Sequence, residues 1–213
     1  MMSTRLITML AVMCPIVLFL IAVIILAYWF LIGSKLPPNV QKLKERRNIP
    51  GLIKALDYLN LNRDFWNVRS AAVRALGEFS TQLESTELRS RAVEALIVTL
   101  RGETKGIHGE QISSDLSAVS VSGNKVSGAA FFAFHGRLLQ VRKLAAETLG
   151  QVGVDTQDAA VRTRIVEALI QALSTTEGSL EDLRRIAAKS LSAITGQDFG
   201  MDAKQWATWW QEY

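Results

Sequence analysis

Two histidines, one cysteine and a few recurring carboxylates and arginines are the residues of this chain that could do chemistry. His108 and His135 flank a Gly- and Ser-rich stretch, and Cys14 sits far away in an apolar run. A zinc site needs three or four nitrogen and sulfur ligands at suitable spacing, and these three have no companions, so the histidines read as loop residues. Glu94 and Glu167 fall at the same place in "RAVEALIVTL" and "RIVEALIQAL". They belong to a repeated pattern rather than to an acid–base pair. Arg69, Arg142 and Arg184 also recur at equivalent places and could hold an anion; at recurring positions such residues tie neighbouring helices together. No phosphate-binding loop, dinucleotide fingerprint or nucleophile elbow occurs. The expectation is a chain without catalytic, cofactor-binding or metal-binding residues, and not an enzyme.

Composition narrows the partners. The formal net charge of +4 is mild, and 49% apolar with 21% charged residues is ordinary for a globular protein. A nucleic-acid binder carries a strongly clustered basic footprint; none is seen, so no nucleic acid is expected. A single cysteine excludes an intrachain disulfide framework.

The N-terminus reads as a membrane segment. Leu6 to Ile32 is 27 positions without a charge, broken only by Thr8 and Pro15. About 20 apolar residues cross a bilayer core. Tyr28 and Trp29 stand where an aromatic belt meets the headgroups, and Pro15 is placed to kink the helix. A cleaved signal peptide has a shorter apolar run and a small-residue cleavage site; "WFLIGSKLPP" offers neither. Arg5 precedes the run, whereas Lys35, Lys42, Lys44, Arg46 and Arg47 follow it. Basic residues stay on the cytoplasmic side. The expected topology is a single-pass anchor in residues 1–34, a basic linker over 35–48, the N-terminus outside and the remaining domain on the cytoplasmic side. The bilayer is therefore one partner, through residues 6–32.

The elements beyond the linker repeat. "VRSAAVRALG" (68–77), "VRKLAAETLG" (141–150) and "LRRIAAKSLS" (183–192) each place an apolar residue, then Arg, then alanines, then Leu. Each is preceded by another helical segment: "IPGLIKALDYL" (49–59), "LRSRAVEALIVTLR" (88–101) and "VRTRIVEALIQAL" (161–173). The unit is thus helix A plus helix B, three times over. On Pro50 with "LIKAL" and on the "VRxxAAxxLG"-type B helices, residues 48–195 resemble the HEAT repeat family, whose units run about 40–47 residues. The resemblance implies an all-α fold, a short right-handed α-solenoid of three HEAT-like helix pairs over 49–195. Asp64 precedes the Arg of the first repeat and has no counterpart five residues before Arg142 or Arg184, so a regular Asp–Arg ladder is not expected. Residues 196–213 close the stack: Gly196 fits a helix stop, Asp202 an N-cap, and Trp206, Trp209 and Trp210 share one helix face.

The second repeat is interrupted by residues 102–136, against the usual 2–8 or so in such bundles. "LSAVSVSGNKVSGAAFFAF" alternates and reads as a β-hairpin turning at Gly123-Asn124. Two readings stand: a local flap whose phenylalanines pack on the adjacent helices, or a partner-docking element, since loops on a rigid scaffold carry function, with Phe131, Phe132 and Phe134 as candidate partner anchors. The family resemblance implies protein binding through the B-helix face. There the exposed positions are Arg74, Glu147 and Lys189, with Ser70, Lys143 and Arg185 one turn before. Two function classes follow. The first is a membrane-anchored scaffold for protein–protein interaction, an accessory or assembly subunit of a membrane complex. The alternative, implied by the resemblance alone, is a bilin lyase or another chromophore- or cofactor-maturation enzyme, which visible absorbance of the purified protein would reveal.

Overall fold

The computed structural model describes residues 37–58, 65–83, 85–102, 104–105, 111–112, 128–175 and 180–212. The expected membrane segment lies outside them. Among the described residues no helix is long and apolar enough to cross a membrane. Pro38–Tyr213 forms one compact unit, and eight helices are seen among its described residues.

The three A–B pairs are present. The first is α2 (Ile49–Leu56) with α3 (Phe65–Gln82), and it is preceded by α1 (Val40–Glu45). The second is α4 (Thr86–Arg101) with α5 (Gly128–Asp155); the third is α6 (Ala159–Leu173) with α7 (Glu181–Thr195); α8 (Ala203–Glu212) ends the stack. Local signals start and stop these helices. The side chains of Asn48, Ser85 and Asp158 accept hydrogen bonds from the orphan first-turn amides of α2, α4 and α6. Gly102 (φ 80°) and Gly196 (φ 74°) end α4 and α7 in the left-handed conformation that favours glycine.

Burial repeats with the sequence. Leu76, Leu149 and Leu191 occupy the same place in the three B helices and are all fully buried. So are Leu52, Leu96 and Leu169 in the A helices. Each such side chain contributes about 1.5–3 kcal/mol on burial. The B helices stack in order, α3 on α5 and α5 on α7, with the A helices α2, α4 and α6 beside one another in a second row. Glycine sets the spacing of the B row. A Cβ on Gly150 would lie 2.5 Å from Ser190 Oγ, and one on Gly77 would strike Thr148. Thr148 and Ser190 are themselves equivalent positions, so a close approach of glycine to the same position of the next B helix joins repeat one to two, through the Thr148 methyl, and two to three, through the Ser190 hydroxyl.

Three expectations are corrected. The 35–48 segment is not only a linker, because α1 forms within it and packs on α2 and α3 through Val40 and Leu43. The insertion is shorter than expected, because residues 128–136 are the first turns of the 28-residue α5. The anticipated hairpin is therefore not formed: its second strand is helix, and its turn lies outside the described residues. Extending a helix already nucleated adds one hydrogen bond per residue fixed, which "GAAFFAFHG" uses in preference to pairing as a strand. The one strand pairing among the described residues is two residues long, Thr104–Lys105 with Gln111–Ile112.

Candidate functional site

The B-helix surface is the candidate interface. Arg74, Glu147 and Lys189 are exposed on α3, α5 and α7. They occupy equivalent positions in neighbouring helices whose axes lie about 8–10 Å apart. The result is a row of alternating charge, positive, negative, positive. The row one turn before behaves otherwise. Ser70 is buried rather than exposed. Lys143 keeps only 15% of its side chain exposed and donates to Asp182 at 2.8 Å, across the joint between α5 and α7. That hydrogen bond and charge hold the Asp182 carboxyl below the usual aspartate range. Arg185 pairs with Glu181 at 2.9 Å and Asp182 at 3.3 Å on its own helix. Lys143 thus serves the stack, whereas Arg185 is exposed but paired on its own helix, and Arg74, Glu147 and Lys189 are presented to solvent.

Phe131, Phe132 and Phe134 fall in α5 rather than in a loop, and their side chains lie outside the described residues. His135, expected in a loop, is likewise helical and half-buried; His108 lies outside the described residues. Among the described residues no group of three or more His, Cys, Asp or Glu is placed to hold a metal ion.

Of the recurring arginines, Arg142 bonds between helices and Arg69 is buried. Arg142 Nε donates to the Leu100 carbonyl at 2.9 Å, joining α5 to the open end of α4. Arg69 is buried to 1% exposure. Burial lowers its pKa to about 10, and the nearby Asp57 partly opposes the shift. The acid beside Arg69 is thus Asp57, while Asp64 lies outside the described residues. A further pair of arginines bridges the turns between repeats. Arg89 donates to the Leu83 carbonyl and Arg162 to the Thr156 carbonyl at 2.6 Å, each reaching back six residues across the turn between repeats. The matching "LRSR" and "VRTR" at the start of two A helices were the available signal.

The C-terminal cap is a tryptophan cluster. Trp206 is fully buried, and its Nε1 donates to the Gly200 carbonyl at 2.9 Å. Phe199 meets it edge-on at 4.9 Å between ring centres, and Trp209 and Trp210 are partly buried against the same core. Asp202 caps α8 by accepting from the amides of Lys204 and Gln205.

Residues 68–101, from within α3 to the end of α4, match the family model of the PBS lyase HEAT-like repeat. Comparison with curated proteins and with solved structures finds no match. The matched window spans one repeat joint, with its Arg69, its Arg89 and its buried leucines: residues 68–101 are similar to a HEAT-like repeat, and the described residues on either side of them form further stacked helix pairs.

Proposed function

We propose that this protein is a membrane-anchored scaffold whose B-helix face binds a protein partner, as an accessory or assembly subunit of a membrane complex. The observation that supports it best is the row of Arg74, Glu147 and Lys189. Three rigidly spaced, exposed charges of alternating sign complement a patterned protein surface better than a uniformly charged polymer. Arg69 is buried and Arg142 bonds to the Leu100 carbonyl, whereas this row is exposed in all three repeats. The anchor rests on the uncharged run from Leu6 to Ile32, and the cytoplasmic placement on the basic residues that follow it.

Extraction of the native membrane in mild detergent, capture of the full-length chain and identification of its neighbours tests this reading. The combined variant Arg74→Glu, Glu147→Lys, Lys189→Glu should lose the partner while keeping wild-type melting. Retention at full yield would remove the B-helix face as the interface. A visible absorbance band on the purified protein would favour the chromophore-maturation alternative.

A further inference from the structure

The formal charge of this chain is unevenly placed. Residues 40–47 hold Lys42, Lys44, Arg46 and Arg47 against Glu45, a net +3. Residues 48–213 hold 18 Lys and Arg against 19 Asp and Glu, a net −1. The basic excess of the folded unit is thus confined to one short segment, and that segment is structured. Asn39 caps α1 by accepting from the Lys42 amide at 3.0 Å. Val40 and Leu43 pack on the core. At the other end the Arg47 amide donates to the Lys44 carbonyl at 2.9 Å and the Asn48 amide to the Leu43 carbonyl at 3.0 Å. These two bonds form a Schellman motif, whose left-handed residue is usually glycine. Here it is Arg47, at φ 49°. A cation stands where backbone preference asks for glycine or asparagine. Lys42, Arg46, Arg47 and Lys54 are all exposed, whereas Lys44 is held by Glu78 at 2.6 Å.

We infer that this corner, formed by α1 and its Schellman turn, is a docking surface for anionic lipid headgroups. The inference rests on the anchor reading for its location, since Lys42 follows Ile32 by ten residues and an extended chain of that length reaches at most about 35 Å. Charge complementarity selects the occupant: the cytoplasmic leaflet is negative, and each basic residue at its surface strengthens attachment about fivefold. Because α1 is packed onto the repeats, binding there would orient the whole stack, which a flexible basic linker would not do.

The test uses full-length protein with Cys14→Ser and Gln41→Cys, a nitroxide being attached to the introduced thiol in place of the exposed Gln41 side chain. It is reconstituted into nanodiscs of phosphatidylcholine alone or with phosphatidylserine. The label is read by its collision rates with oxygen, which concentrates in the bilayer, and with a water-soluble nickel chelate. Anionic nanodiscs should raise the oxygen rate and lower the nickel rate severalfold relative to neutral ones. High salt, which shortens the Debye length to about 3 Å at 1 M, should reverse the change. The variant Lys42→Gln, Arg46→Gln, Arg47→Asn should abolish it with melting unchanged, since Val40, Leu43 and both caps remain and asparagine tolerates the left-handed turn. Equal rates in the two lipids, or a lipid effect that survives in the variant, would overturn the inference. If the chain fails to enter nanodiscs, the anchor reading fails by itself. The same label with added phosphatidylserine vesicles then decides the surface: protection from nickel supports it, and no protection overturns it.

Discussion

At the residue scale, the closest contacts are the most informative. Gly77 and Gly150 stand where a methyl group would meet Thr148 and Ser190 of the next B helix. Gly77→Ala and Gly150→Ala should each destabilise the folded unit by about 1–3 kcal/mol through overpacking. Gly136 is also helical but has nothing within 4 Å of its would-be Cβ, and Gly136→Ala should stabilise by about 0.5–1 kcal/mol through helix propensity. Urea unfolding of the three variants checks the sign of each change. The Asp182 carboxyl, held low chiefly by its hydrogen bond from Lys143, makes a pH-dependent contribution. A depressed folded-state pKa adds stability above the unfolded aspartate value, and that stability is lost as pH falls through the folded value. In a carboxyl NMR titration Lys143→Met should move the Asp182 midpoint upward. An unmoved midpoint would show that the ion pair does not form in solution.

At the element scale, α8 covers the apolar end that every helical stack must close. Trp206→Ala removes the one fully buried side chain of that helix and should cost about 3–5 kcal/mol. Trp206→Phe keeps much of the ring burial but loses the bond to the Gly200 carbonyl, a smaller loss of about 1 kcal/mol. Thermal melts that rank the two variants in the other order would show that ring burial is not the main role of Trp206. The insertion is the opposite kind of element. It joins α4 to α5, two helices packed against each other, and doubling such a loop costs only about 0.6 kcal/mol. Replacing residues 103–127 by a short Gly/Ser turn, which leaves α5 whole, should preserve cooperative melting. Loss of folding would place those residues in the core.

At the scale of the whole molecule, the basic residues after the apolar run set the expected topology. Protease added to intact cells or spheroplasts should spare residues 38–213 and cleave them only after permeabilisation. Digestion without permeabilisation would reverse the orientation. Among the described residues the compact unit beyond Pro37 is covered at both ends, by α1 against α2 and α3 and by α8 against α6, which leaves the flanks of the repeats facing solvent.

The sequence by itself determined the helix pairs, their caps and most of the core. Helical periodicity, Asp202, Gly196 and the spacing of the tryptophans are local signals, and each acts within one or two turns of where it is written. It also contained the charged row of Arg74, Glu147 and Lys189, because equivalent residues in a repeat share one environment. Tertiary structure decided what depends on residues far apart in the chain. Lys143 meets Asp182 39 positions away, and Arg142 reaches the Leu100 carbonyl 42 positions back. Ser70 is buried although its counterparts Lys143 and Arg185 are not. Packing also turned part of a basic linker into α1, since Val40 and Leu43 form an apolar pair only when a core is there to receive them. The distance between neighbouring B helices, set by glycines such as Gly77 and Gly150, brings Lys143 to Asp182, and no local pattern records that distance.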